Sequence, residues 1–137
     1  MKIMAIDYGD AHTGVAVSDR TGSIVGFSTV ITAYRPDAVI ERLRALIAEH
    51  GAEELVLGHP INMDGTRGPR AEKAEAFAEQ LREATGLPVT LWDERRTTVD
   101  AHNILAANGK RAKERKKTVD AVAAALMLEG YLRFRSR

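Results

Sequence analysis

The chain has 137 residues, a formal net charge of +1 and no cysteine, which excludes disulfides, thiolate chemistry and cysteine-based zinc sites. No apolar run approaches the length of a membrane span, and the sequence opens on a strand pattern rather than a signal peptide, so we expect a cytoplasmic protein with no membrane partner. Residues 1–137 are sufficient for one domain with its own core, and we expect a single domain.

The charge is unevenly divided along the sequence. Residues 1–94 carry nine Lys and Arg against fifteen Asp and Glu, whereas residues 95–137 carry eleven against four. A segment of net charge −6 is therefore followed by one of +7. This asymmetry indicates a polyanionic partner such as a nucleic acid, and it is also compatible with a basic surface that is merely solvated.

The first half of the sequence predicts an antiparallel meander followed by a strand–helix–strand crossover. Residues 3–6 and 15–17 are apolar without alternation, as is typical of strands buried on both faces, and residues 23–31 match a third strand. A helix that starts at proline and ends at a glycine cap is predicted over 36–51. Residues 54–58 then form a short buried strand.

The second half predicts helices around one further strand. Its elements are expected at about residues 70–85, 88–92, 97–108 and 118–134. Residues 59–69 between two of these elements are rich in turn formers, and residues 109–117 are strongly basic with almost no apolar content, so we expect a mobile loop there. The order βββαβαβαα predicts an α/β fold: a mixed five-stranded sheet, in the order 3-2-1-4-5, with helices on both faces.

Asp7 is the most informative single residue, because it ends a buried strand where an acid is costly unless it is paired, protonated or bound to a metal. Gly9 and Gly14 around the following turn allow a ligand or a neighbouring backbone to come close. The simpler interpretation is that Asp7 and Asp10 only cap the turn.

Three acids stand at element ends in the predicted topology: Asp7, Glu94 and Asp120. In a sheet ordered 3-2-1-4-5 they can converge, because strand five lies two positions, roughly 10 Å, from strand one. Each also has a simpler explanation, since Glu94 can pair with a neighbouring arginine and Asp120 can complement a helix dipole. Converging carboxylates without cysteine ligands favour hard ions, Mg²⁺ or Mn²⁺, and two such ions can hydrolyse a phosphodiester.

Four motifs, in this order, resemble the bacterial YqgF family, also called RuvX. They are DYG at 7–9 with GVAVSD at 14–19, GHPINMDGT at 58–66, DERRTT at 93–98, and KTVDAVAA at 117–124. The resemblance implies a ribonuclease H-like fold and a nuclease that matures the 5′ end of pre-16S ribosomal RNA. The family is also related to Holliday junction resolvases of the RuvC type.

The resemblance further implies that Asp7, Glu94 and Asp120 are the catalytic, metal-binding acids. Substrate contacts are expected from residues of the motif loops and from the basic segment, with Tyr8 as a surface on which a base can stack. These expected contacts are Tyr8, Asn62, Asp64, Gly65, Arg95, Thr98, Lys110, Arg111, Lys113, Arg115, Lys116 and Lys117.

Two positions depart from the family pattern, His59 and Arg96, and Lys117 stands where true resolvases carry a further acid or histidine. The expected activity is therefore cleavage of structured RNA, with junction resolution on DNA as the alternative enzyme. A nucleic-acid-binding module that does not cleave is the alternative outside enzymes. A two-domain actin-like ATPase would need more than 137 residues or a dimer, and the oligomeric state is left open between monomer and homodimer.

Overall fold

The computed structural model describes the backbone of residues 1–96 and 112–136, and the side chains of 1–95 and 121–136. Five strands and three α-helices are present in these ranges, together with a 3-10 turn at Glu94–Arg96. The strands are β1 Ile3–Asp7, β2 His12–Ser18, β3 Val25–Thr32, β4 Glu54–His59 and β5 Val89–Asp93. The helices are α1 Pro36–His50, α2 Pro69–Thr85 and α3 Ala112–Arg135.

The five strands form one mixed sheet in the predicted order, β3-β2-β1-β4-β5. β1 lies at the centre, where it pairs antiparallel with β2 and parallel with β4, and β5 extends the parallel half. The carboxyl ends of β1, β4 and β5 therefore meet at one edge of the sheet. Three polar residues end these strands, and they are Asp7, His59 and Asp93.

Helices cover both faces of the sheet, as predicted. On one face, α1 and α2 bury Val39, Leu43, Phe77 and Leu81 against the strands. On the other face, α3 buries a separate set of apolar side chains against β1, β2, β4 and β5. The central strand is enclosed on both sides, and this explains its unbroken apolar sequence.

Two element boundaries differ from the sequence-based expectation. β3 begins at Val25 rather than residue 23, because the Asp19 carboxylate accepts hydrogen bonds from Thr21 Oγ1 and the Ser23 backbone N–H and so draws Ser23 into the preceding turn. The predicted loop over 109–117 is wrong for its second half, since α3 already begins at Ala112.

The basic stretch is helical because Ala, Lys, Glu and Arg all have high helix propensity and continue directly into a segment held by the core. A lack of apolar residues predicts exposure to solvent and not a loop. The helix predicted over 97–108 lies outside the described residues. Among the described helices, none has a stretch long and apolar enough to span a bilayer.

Candidate active site

Asp7 stands at the end of a strand whose four preceding residues are fully buried. It pairs with Gly14 of β2 and is itself only half-buried, because it lies where the sheet edge opens to solvent. The strands on either side of β1 fix the position of the Asp7 backbone. The acid is therefore held at the centre of the carboxyl edge by the surrounding core.

Glu94 reaches Asp7 from two strands away. It follows β5 directly, and the intervening strand β4 carries Gly58 opposite Trp92. A Cβ atom added to Gly58 would lie 2.4 Å from Glu94 Oε1 and 3.2 Å from Met127 Sδ. The absence of a side chain at position 58 thus makes room for the Glu94 carboxyl group between the sheet and α3.

The carboxyl groups of Asp7 and Glu94 lie close enough for Glu94 to change the ionisation of Asp7. The pKa of Asp7 is raised from 3.8 to about 7, mainly by burial and then by the charge and hydrogen bond of Glu94. The nearby charge of Arg70 acts in the opposite direction. Two neighbouring carboxyl groups raise the cost of ionising each other, and a bound cation would remove that cost.

The third predicted acid, Asp120, lies in the described backbone of α3, but its side chain is outside the described set. α3 packs across the sheet and brings Met127, seven residues after Asp120, against the Gly58 position. Among the described side chains, no three Asp, Glu or His residues are grouped closely enough to bind one ion. The convergence of all three acids stays a prediction.

A groove of about 450 Å³ adjoins Glu94. Its walls come from the loop between β4 and α2, from the start of α2 and from the turn after β5. The lining residues are Pro60, Ile61, Asn62, Met63, Gly68, Pro69, Arg70, Glu94 and Arg95. Met63 is 87% exposed, so the loop presents an apolar side chain at the mouth of the groove.

The loop residues predicted to contact substrate are also the ones that shape the loop. Asn62 Nδ2 donates to Thr66 Oγ1 at 3.0 Å, and Asp64 Oδ1 accepts from the Thr66 N–H at 2.9 Å. Gly65 has a φ of 89°, which a residue with a side chain adopts only with strain. The sequence signal at these positions therefore has a structural explanation in addition to the predicted contact with substrate.

Arg95 lies beside this loop with its guanidinium group held in place. Its Nε and Nη2 atoms donate to the Asp93 carboxylate at 3.0 and 2.7 Å, a two-point ion pair that fixes the plane of the group. Its Nη1 atom lies 3.8 Å from the position of a Cβ on Gly65. Arg95 thus bridges the turn after β5 and the loop after β4.

The remaining predicted substrate residues divide into two groups. Tyr8 stacks on Phe77 with ring centroids 3.9 Å apart and an interplanar angle of 2°, so one face of its ring is already covered. The residues of the basic segment are only partly described. Thr98, Lys110 and Arg111 lie outside the described residues, and only the helical backbone is described for Lys113, Arg115, Lys116 and Lys117.

Sequence reasoning missed Glu75, which fastens both ends of the groove loop to α2. His59 Nε2 lies 2.6 Å from Glu75 Oε2, and Arg67 Nε donates to the same oxygen at 2.7 Å. These contacts lower the pKa of Glu75 to about 2, with Arg67 as the larger cause and His59 as the next. The only sequence signal was the unusual His59, and its partner sixteen residues later could not be recognised without the fold.

Comparison with known proteins agrees with this architecture. A family model described as "RuvX: Holliday junction resolvase" matches residues 1–134. The chain belongs to the RuvX family. This confirms the resemblance drawn from the sequence motifs.

Two relatives of this RuvX chain are named "Putative pre-16S rRNA nuclease". The Halothermothrix orenii protein is 41% identical over 137 residues, which cover 100% of this chain and 98% of the relative. The Geobacillus kaustophilus protein is 46% identical over 134 residues, which cover 96% of this chain and 97% of the relative. Both similarities therefore extend over nearly the whole length of each protein.

A solved structure described as "T. thermophilus RuvC in complex with Holliday junction substrate" has the same fold. It superposes with a TM-score of 0.64 at 17% identity and covers 99% of this chain and 97% of its own. Identity this low supports a shared fold and nothing finer. The predicted ribonuclease H-like architecture is confirmed by this match and by the strand order.

We predict that Gly58→Ala separates the two acids without unfolding the protein, because the added Cβ collides with the movable end of Glu94. Once the charge and hydrogen bond of Glu94 are withdrawn, the pKa of Asp7 should fall below its wild-type value of about 7. An NMR titration of the Asp7 carboxyl carbon in EDTA measures this pKa. Gly130→Ala is the matched control, since its Cβ meets only a Trp92 ring carbon at 3.7 Å. Equal pKa values of Asp7 in the two variants would contradict the assignment.

Glu75→Gln should destabilise the protein at pH 7 and progressively less as the pH falls from about 5 to about 2. The folded pKa of about 2 lies below the ordinary 4.5, so ionised Glu75 stabilises the fold above pH 4.5, and this contribution is lost on acidification. Urea unfolding at pH 7, 5 and 3 tests this prediction. Glu83→Gln, at an exposed acid near the end of the same helix, should follow the wild-type profile. A pH-independent gap for Glu75→Gln would refute the ion-pair explanation.

Proposed function

We propose that this RuvX protein is a metal-dependent endonuclease that hydrolyses phosphodiester bonds in precursor 16S ribosomal RNA. The observation that carries the proposal is the placement of two acids, Asp7 at the end of β1 and Glu94 over Gly58, at the carboxyl edge of the sheet. The names of the two close relatives supply the substrate class. The groove beside Glu94 gives a path along which a strand can approach these acids.

The acids fit a hard divalent cation, Mg²⁺ or Mn²⁺. Asp7 and Glu94 offer only oxygen ligands, and without a cation their mutual repulsion is relieved by a proton. We assign Asp120 as the third ligand, because the family motif carries it and α3 crosses the sheet next to Gly58. When bound, such a cation activates water for attack on phosphorus and stabilises the charge of the leaving oxygen.

The residues around the acids orient the substrate in this proposal. Arg95, fixed by Asp93, presents a positive charge to a phosphate at the groove, and the loop fastened by Glu75 keeps the opposite wall in place. Lys113, Arg115, Lys116 and Lys117 belong to the first turns of α3, and we expect them to add phosphate contacts. Contacts of this kind position a backbone and carry no sequence information.

A four-way DNA junction is the second candidate substrate, because the family model is described as a Holliday junction resolvase. Lys117 weighs against it, since the resemblance places a further acid or histidine of true resolvases at that position. A parallel assay on precursor 16S ribosomal RNA, an unrelated single-stranded RNA and a four-way junction separates the two. Cleavage of the junction alone would reverse our assignment.

Asp7→Asn should abolish cleavage in that assay while leaving the fold intact. The variant removes one of the repelling carboxylates, so its stability in EDTA should equal or exceed that of the wild type. Asp37→Asn, at an exposed acid in the first turn of α1, is the matched control and should cleave normally. Full activity of Asp7→Asn would remove Asp7 from the reaction.

Mg²⁺ or Mn²⁺ should raise the melting temperature of the wild type but not that of the double variant Asp7→Asn/Glu94→Gln. A ligand that binds only the folded state stabilises it by about 2.7 kcal/mol at a hundredfold excess over its dissociation constant. Differential scanning calorimetry with and without each ion measures the shift. Equal shifts in both proteins would mean that the ions bind elsewhere.

A further inference from the structure

A second cavity, of about 130 Å³, opens beside Tyr8 and adjoins the site described above. It is formed by the turn after β1, the end of β4 and the first turns of α2. Its lining residues are Tyr8, Gly9, Asp10, Gly58, Pro60, Arg70, Lys73 and Ala74. Pro60 and Arg70 also line the larger groove, so the two spaces adjoin at these residues.

Two cations of α2 dominate the lining of this cavity. Arg70 is exposed and makes no hydrogen bond or ion pair with another described residue, and it lines both this cavity and the groove beside Glu94. Lys73 Nζ pairs with Asp10 Oδ1 at 2.6 Å. Asp10 is 92% exposed, and exposed ion pairs contribute little, so an arriving anion can displace it at small cost.

Two walls of the cavity are held by contacts within the fold, the Tyr8 ring and the turn at Gly9. The Tyr8 ring is stacked flat on Phe77, and Lys73 Nζ lies 5.6 Å from the centre of the same ring. At Gly9 the turn is so tight that a Cβ would lie 2.3 Å from the carbonyl oxygen of His12. The Tyr8 ring and the turn at Gly9 are therefore in place before a ligand binds, and only the exposed side chains of Arg70 and Lys73 have to be ordered.

The lining favours a phosphate over a base. Arginine recognises phosphate oxygens through two parallel donors, and Arg70 donates to no partner among the residues that the structure describes. A base would need an open aromatic face, but Phe77 covers one face of Tyr8 and the ammonium group of Lys73 lies over the ring. Gly58 forms a wall of this cavity and also contacts Glu94, so a group bound here lies directly beside the paired acids.

We propose that this cavity, with Arg70 as its anchor and Lys73 at its rim, binds a backbone phosphate next to the phosphate that lies at Asp7 and Glu94. The proposal rests on the function proposed above and deepens it, because it gives the strand a second fixed point. Two neighbouring phosphates held at once define both the position and the direction of the strand across the acids. Arg70 is thus a positioning residue outside the set that sequence motifs identify.

Binding in EDTA tests the subsite separately from cleavage. The probe is a labelled single-stranded RNA that spans the mature 5′ end of 16S ribosomal RNA, titrated at several salt concentrations. Arg70→Ala should flatten the logarithmic salt slope by about 0.7, the value of one phosphate contact on a single strand, and Arg70→Lys should restore most of it. The matched control is Arg20→Ala at the opposite edge of the sheet, where the backbone oxygen of Arg20 accepts from the Met1 amino group. The salt slope of this variant should equal that of the wild type.

A scan of oligonucleotides with one neutral methylphosphonate linkage at a time then locates the phosphate. At one position, next to the cleaved bond, the neutral linkage should weaken binding to the wild type and leave the affinity of Arg70→Ala unchanged. An unchanged slope in Arg70→Ala, or equal flattening in Arg20→Ala, would overturn the subsite and leave the proposed function standing. Failure of the wild type to bind any of these RNAs would overturn both.

Discussion

The contact between the Asp7 and Glu94 carboxyl groups over Gly58 is the constraint on which the rest of the site depends. Two neighbouring carboxylates repel each other when both are ionised, and burial makes ionisation still more costly. The arrangement therefore persists only because the fold imposes it. The imposing structure is the central strand, whose residues 3–6 are buried on both faces. The core thus supplies the free energy that holds two acids where a cation can use them.

Carboxylate side chains also hold the walls of the groove around the acids in place. Glu75 fastens the start and the end of the loop through His59 and Arg67, and Asp93 fixes Arg95 on the other wall. Arg67 and Arg95 each have a carboxylate partner within the fold, so both cations are held before any substrate arrives. Preformed groups of this kind lose little conformational freedom on binding, which favours a defined position for a flexible strand.

The negative and positive parts of the sequence lie in different elements of the fold. The net negative residues 1–94 include the acids of the site, whereas the basic residues 113–117 form the first turns of α3. The backbone there is helical, unlike the mobile loop expected from composition. Basic residues of this kind suit a polyanionic strand, because contacts to its backbone position it.

The sequence by itself determined the strand order, the two-sided burial of β1 and the pairing of Asp7 with Glu94, because apolar runs, turn residues and a shared motif order are local or family-wide signals. Tertiary structure alone decided which residues meet across large separations. Glu75 joins His59 to Arg67, and the cavity lined by Arg70 is formed between the turn after β1 and the first turns of α2. Such contacts depend on the register and packing of whole elements, which no local pattern encodes.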